Sequence, residues 1–203
     1  MTTKTKLAGA TAAALALGLS QAAIAQGPSY DYLGASYAIA DLGYFVDDSL
    51  DGFKLEGSVG LTQNIHLMGE WLDVSGRPFG FGADIEQYRV AIGYNHALTS
   101  STDFVVRAGF ARQKFSEDGF GSISDNGYNL EAQVRMMLND QFELNVGSQY
   151  TDVSGDIGDR ATLTSGFVYT FAQGVAVRGG VEVGADDNII DLGVRWNFGG
   201  FRR

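Results

Sequence analysis

His66 and His96, with the glutamates Glu56 and Glu70, are the residues of this 203-residue chain that could hold a metal or move a proton. Two imidazoles can begin a zinc site. Two carboxylates on neighbouring strands of one short hairpin can form a dyad in which one pKa is raised. Whether either pair does so depends on where each side chain points, and the elements that carry them set that. His66 shares the parity of Glu70, an inward position, whereas His96 shares the parity of Tyr94, an outward one. The histidines are therefore expected on opposite sides of a wall, with no metal site. Glu56 and Glu70 are expected to form a structural cluster neutralised by Lys54 and Arg89. The chain has no cysteine, which removes disulfides and thiolate metal sites. No cofactor and no catalytic residue is expected.

The elements are strands. In "IIDLGVRWNF" (189–198) Ile190, Leu192, Val194, Trp196 and Phe198 share one face, and Asp191, Gly193, Arg195 and Asn197 the other. That is the period of a β-strand. Comparable segments recur near 30–40, 52–62, 65–73, 86–97, 103–115, 126–138, 142–152, 160–171, 175–184 and 189–198. The connections between them alternate. "TQN", "LTSST", "NDQ" and "AQG" are short, whereas "DLGYFVDDSLD", "VSGRPFGFGADI", "SEDGFGSISDN", "DVSGDIGD" and "GADDN" are mostly longer and rich in Gly, Asp and Ser. Such sorting puts short turns at one end and long loops at the other, the layout of an outer-membrane barrel. A soluble Greek-key sandwich has no reason to sort its loops this way. The expected fold is an all-β, antiparallel up-and-down transmembrane barrel of ten strands, with eight as the alternative.

The faces agree. Sets such as Phe53, Leu55, Val59, Leu61 and Tyr88, Val90, Ile92, Tyr94 are apolar, with aromatics near their ends as lipid-interface girdles require. In strand one Leu33, Ala35, Tyr37 and Ile39 are expected outward. The opposite faces carry Lys54, Arg89, Arg107, Arg135, Arg178 and Arg195 against Glu56, Glu70, Glu131, Glu143, Glu182 and Asp191. Glycines at 60, 93, 109, 147, 166, 180 and 193 share that face and would leave room for long side chains. A balanced charge set among glycines suits a narrow, filled lumen, so the apolar faces point to lipid.

Residues 1–25 read as a cleaved secretory leader: Lys4 and Lys6 precede an apolar run, and Ala23-Ile24-Ala25 ends it. Residues 26–203 then form one barrel domain. The formal net charge is −10, and removing the leader's two lysines makes it more negative. An acidic chain is a poor partner for nucleic acid.

The segments "YDYLGASY", "GFKLEGSVGLTQNIHLMGEW", "DIEQYRVAIGYNHAL", "TDFVVRAGFAR" and "GYNLEAQVR" give the chain a family likeness. It resembles the small OmpA-like outer-membrane β-barrel proteins of Gram-negative bacteria over essentially the whole mature chain. The resemblance implies a surface-exposed outer-membrane protein, exported through the periplasm, in contact with outer-membrane lipid and lipopolysaccharide. It also implies recognition of the C-terminal strand by the barrel-assembly machinery. Such barrels end on an aromatic, whereas "GGFRR" follows Phe198 here, so either Phe198 or Phe201 carries that signal.

The expected role is structural or interactive, with the loops as the working surface, an unspecified host or surface ligand, and a charge-paired, largely plugged lumen. Phe79 and Phe81, between glycines, are the first contact candidates. A narrow channel for small solutes is the alternative; an enzyme is the least supported, because no histidine lies in the long-loop half. Tags inserted in 41–51, 75–85 or 117–126 are expected to be cleaved by protease on intact cells, and tags at 63–64 or 139–140 to be shielded. Reversed accessibility would reverse the orientation.

Overall fold

Period-two patterning commits the chain to strands that are apolar on one face, and a bilayer offers their backbone no water. The computed structural model describes residues 27–41, 49–77, 80–153, 155, 158–185 and 187–198. Its strands are β1 (Tyr32–Asp41), β2 (Ser49–Gly60), β3 (Ile65–Gly76), β4 (Ala83–Ala97) and β5 (Thr102–Glu117). They are followed by β6 (Gly121–Met137), β7 (Phe142–Val153), β8 (Gly158–Thr170), β9 (Val175–Val183) and β10 (Asn188–Asn197). Each pairs antiparallel with its sequence neighbours, and β1 closes the ring on β10, with Tyr37 opposite Leu192. The barrel has ten strands, so the eight-stranded alternative falls away. Closure satisfies every strand's ladder without an edge.

The faces point as the alternation requires. Ile92 and Val194 are 56% and 57% exposed on the outer wall, whereas Asp191 and Arg195 are buried in the lumen. Near the loop end, however, the polarity of the two faces exchanges while the parity runs on unbroken. On β3, Leu67 and Trp71 face out, and so does Asp73, while Leu72 and Val74 face in and are buried. Inside, Ala38, Ala40, Leu50, Leu72, Val74 and Ile189 form an apolar cluster. Outside, aromatic tips bond to acids one step further along: Tyr37 donates to Asp51, and Trp71 Nε1 donates to Glu86 at 3.4 Å. The exchange marks where the wall leaves hydrocarbon: water replaces lipid outside, and a soluble-type core replaces the polar lumen inside.

This overhang corrects the expected loops. "SEDGFGSISDN" is mostly strand: Phe115 faces Ile123 and Glu117 faces Gly121, leaving only residues 118–120 as the turn. Serine and aspartate signalled a loop, yet a ladder in water tolerates them. The glycine expectation also divides. A Cβ on Gly93 would strike the His66 ring, and one on Gly180 would come 3.0 Å from Asp191 and 3.1 Å from Arg178, so these two make room for side chains. A Cβ on Gly109 or Gly193 would strike the neighbouring strand's backbone at Val90 or Ala35; these permit close strand approach instead.

Replacing Ile92 or Val194 with arginine is expected to cost roughly 2–4 kcal/mol near the bilayer midplane and less toward the interfaces. Urea titration of protein refolded in lipid vesicles measures it, and unchanged stability of both variants would mean the faces are inverted.

Candidate functional site: a filled lumen

Strand register assembles the lumen. Arg107 and Glu131 are direct partners across β5 and β6, joined at 2.7 Å. Glu70 and Arg89 are direct partners across β3 and β4, with both Nε and Nη2 of Arg89 donating to Glu70. Arg135 reaches diagonally past Asn145 to Glu143, with Nε–Oε1 at 2.7 Å and Nη2–Oε2 at 3.0 Å. That bidentate geometry is the most specific of the ion-pair arrangements.

Other pairs span further. Lys54 Nζ lies 2.7 Å from Glu182, 3.4 Å from Glu70 and 3.5 Å from Asp191. Arg178 lies 2.9 Å from Asp191 and 3.4 Å from Glu56. Glu56 and Glu70 are register partners, but each has its own cation. Lys54 and Arg89 pair with Glu70 as expected, but the direct ion pair of Glu56 is with Arg178, because closing the ring brings β9 across to β2. Arg160, absent from the expected set, adds contacts at 3.5 Å to Glu182 and 2.8 Å to Asp187. Its inward parity with Thr162 was the available signal. A polar cavity of about 100 Å³ remains among these side chains.

Sequence reasoning missed the lumen's other occupant. Alternation alone places residue 30 in the first strand, but β1 begins at Tyr32, and Ser29 and Tyr30 are buried inside the end that carries the short turns. That end is periplasmic in outer-membrane barrels. The Tyr30 ring stacks on His66 at 4.6 Å, and its hydroxyl donates to Asp103 at 2.8 Å. The Arg135 guanidinium lies 4.6 Å from the centre of the same ring. Burial, aided by Asp103 and opposed by Arg135, pushes the Tyr30 hydroxyl above its ordinary pKa, keeping it a neutral donor. The Ser29 carbonyl accepts from Arg135 Nη2 and Arg195 Nη2, both at 3.0 Å. Arg195 also stands over the Tyr32 ring at 3.7 Å.

The histidines separate as their parity requires. His66 is enclosed and its Nε2 accepts from Arg107 Nε at 3.0 Å, while His96 is exposed on the outer wall. Of the contact candidates, Phe81 is 55% exposed, and Phe79 lies outside the described residues. Phe120, at the tip of the β5–β6 hairpin, is 80% exposed and was not singled out from the sequence.

A closed antiparallel barrel with a lipid-facing wall and a charged interior defines an outer-membrane protein class, and sequence comparison agrees. The chain belongs to the outer membrane protein beta-barrel domain family, whose pattern matches residues 10–171. No curated protein sequence matches it. Its backbone is similar to that of the NanC porin, at 9% identity over 81% of this chain and 98% of that one, with a TM-score of 0.51. The attachment invasion locus protein Ail of Yersinia pestis, in complex with the heparin analogue sucrose octasulfate, is similar at 14% identity. That match covers 81% of this chain and 95% of Ail, with a TM-score of 0.44. Neisserial surface protein A is similar at 15% identity over 82% and 95%, with a TM-score of 0.45. At 9% identity the likeness to NanC shows a common fold and nothing of a shared role.

Removing one partner of a buried pair leaves a charge without compensation. Arg135→Ala is therefore expected to destabilise the barrel by about 3–5 kcal/mol, less where lumen water reaches Glu143. Urea unfolding in lipid vesicles reads this. A double variant that also carries Glu143→Gln should recover part of the loss; no recovery would show that the pair is not the source.

Proposed function

We propose that the protein is a surface-exposed outer-membrane barrel with a closed lumen, serving a structural and interaction role through its extracellular rim. The observation that carries this reading is occlusion at three successive heights. Residues 27–31 fill the periplasmic mouth, ion pairs cross the middle, and the apolar cluster around Leu50, Leu72 and Val74 closes the loop end. The cavity left between them, about 100 Å³, has room for a few waters at most.

Phe81 and Phe120 then stand out on the rim, on adjacent connections joined by the Asp118 N–H donating to the Gly82 carbonyl at 2.9 Å. Exposed aromatics on braced loops are suited to contact with a surface ligand. Outer-membrane lipid and lipopolysaccharide are the partners of the wall. At the end of β10, Phe198 packs near Trp196 at 5.6 Å and offers a terminal aromatic to the assembly machinery. Phe201 and the leader, residues 1–25, lie outside the described residues; export with cleavage before Gln26 rests on the sequence. A catalytic role is not part of this reading: His66 is enclosed and His96 faces outward, leaving no histidine beside the exposed loops.

The second reading, a narrow channel, is favoured by one observation. Arg89 Nη1 and Arg135 Nη1 are buried without hydrogen-bond partners among the described residues, as groups beside a water path would be. Planar-bilayer recording of the refolded protein separates the two. The closed-lumen reading expects a wild-type barrel that is mostly silent, with Arg89→Ala or Arg135→Ala raising conductance as stability falls. Steady wild-type conductance, indifferent to these changes, would put the channel first.

A further inference from the structure

We propose that the periplasmic mouth of the lumen is a binding site for one small oxyanion, a carboxylate or phosphate, and that residues 27–31 are its built-in competitor. This goes beyond the closed-lumen reading, because it concerns what can occupy the mouth rather than whether ions pass through. Two buried guanidiniums, Arg135 and Arg195, converge on a single neutral acceptor, the Ser29 carbonyl, at 3.0 Å each. Arg195 is 5% exposed, and among the described residues no carboxylate lies within 4.0 Å of it. Its partners are that carbonyl, Asn197 Oδ1 at 2.7 Å and the Tyr32 ring face at 3.7 Å, none of them charged. Independently, Arg135 Nη1 is buried with no hydrogen-bond partner among the described residues.

A buried cation with only neutral partners is held below the stabilisation its geometry allows. A guanidinium bond to a neutral carbonyl is already charge-assisted, but it brings no opposite charge to the cation, which an oxyanion would add. An oxyanion at the position of the Ser29 carbonyl would accept from both guanidiniums and give Arg195 a counter-charge in direct contact, where Glu143 and Glu56 act on it only from further off. The acids nearby set the limit. Glu143 already neutralises Arg135, and Asp103 carries a further carboxylate, so the site suits one small anion and not a polyanion. Withdrawal of Tyr30 would return Asp103 to the water of the mouth, where its repulsion is screened.

The competitor is seated by side-chain contacts more than by the sheet. Tyr30 holds it through His66, Asp103 and the face presented to Arg135, and the Asp31 carbonyl accepts from the Phe198 N–H at 3.1 Å. Loosening Tyr30 therefore vacates the site without dismantling the wall. If the segment is seated more than about nine-tenths of the time, anion affinity in the wild type is reduced at least tenfold.

The test is calorimetric titration of inorganic phosphate into the mature barrel, refolded in a phosphate-free non-ionic detergent. Tyr30→Ala, and separately deletion of residues 27–30, is expected to tighten phosphate binding at least about tenfold. Arg195→Gln added to Tyr30→Ala is expected to abolish it, whereas Lys114→Gln, half-buried on the outer wall far from the mouth, should leave it unchanged. Heat-modifiable gel mobility confirms that each variant is folded. Should Tyr30→Ala fold poorly, the deletion and Tyr30→Phe, which loses only the bond to Asp103, carry the comparison. Folded variants that bind phosphate no better than the wild type would overturn the proposal, as would binding that survives Arg195→Gln. Binding of short-chain phosphatidic acid without binding of phosphate would also overturn it, since the ligand would then be a lipid headgroup. Bilayer conductance decides the closed-lumen reading separately, so either can fail alone.

Discussion

The constraint on which the rest of the structure depends is that hydrocarbon cannot hydrogen-bond. Every backbone N–H and C=O at membrane depth must find a partner within the chain, and for strands that requires a closed ring. Ten strands form such a ring, with β1 returning to β10. Closure turns the apolar faces to lipid and gathers the polar faces into a narrow interior. The charge network follows from that enclosure. A glutamate or arginine confined there cannot reach bulk water, so it must be paired.

The lumen has a layered logic that follows the surroundings of the wall. At the membrane's depth the interior is ionic, with Lys54 alone contacting three carboxylates. Beyond the aromatic girdle the wall enters water, and the inward side becomes apolar around Leu50, Leu72 and Val74. At the opposite end the chain's own N-terminal residues complete the filling. Ser29 and Tyr30 satisfy groups from β3, β5, β6 and β10, elements far apart in sequence. One barrel thus solves three packing problems with three chemistries, each matched to the dielectric on its two sides.

The sequence by itself determined the strand pattern, which parity faced lipid and most of the acids and bases that line the interior. These follow from a period of two and from the cost of placing charge against hydrocarbon, both local properties. It favoured ten strands but left eight open, and closure decided. It also set the nearest-neighbour pairs, because Arg107 with Glu131, Glu70 with Arg89 and Arg135 with Glu143 lie on adjacent strands. The tertiary structure alone decided the rest. Arg178 meets Glu56 because closure brings β9 round toward β2, a proximity that adjacent-strand register does not encode. The inward exchange at Leu72 and Val74 was hidden because the parity never breaks; only the height of the wall relative to the membrane changes its meaning. Tyr30 looked like the first residue of a strand, since its neighbours alternate too. Only the finished cavity, with His66, Asp103 and Arg135 already around its mouth, gave that ring a better place than the sheet.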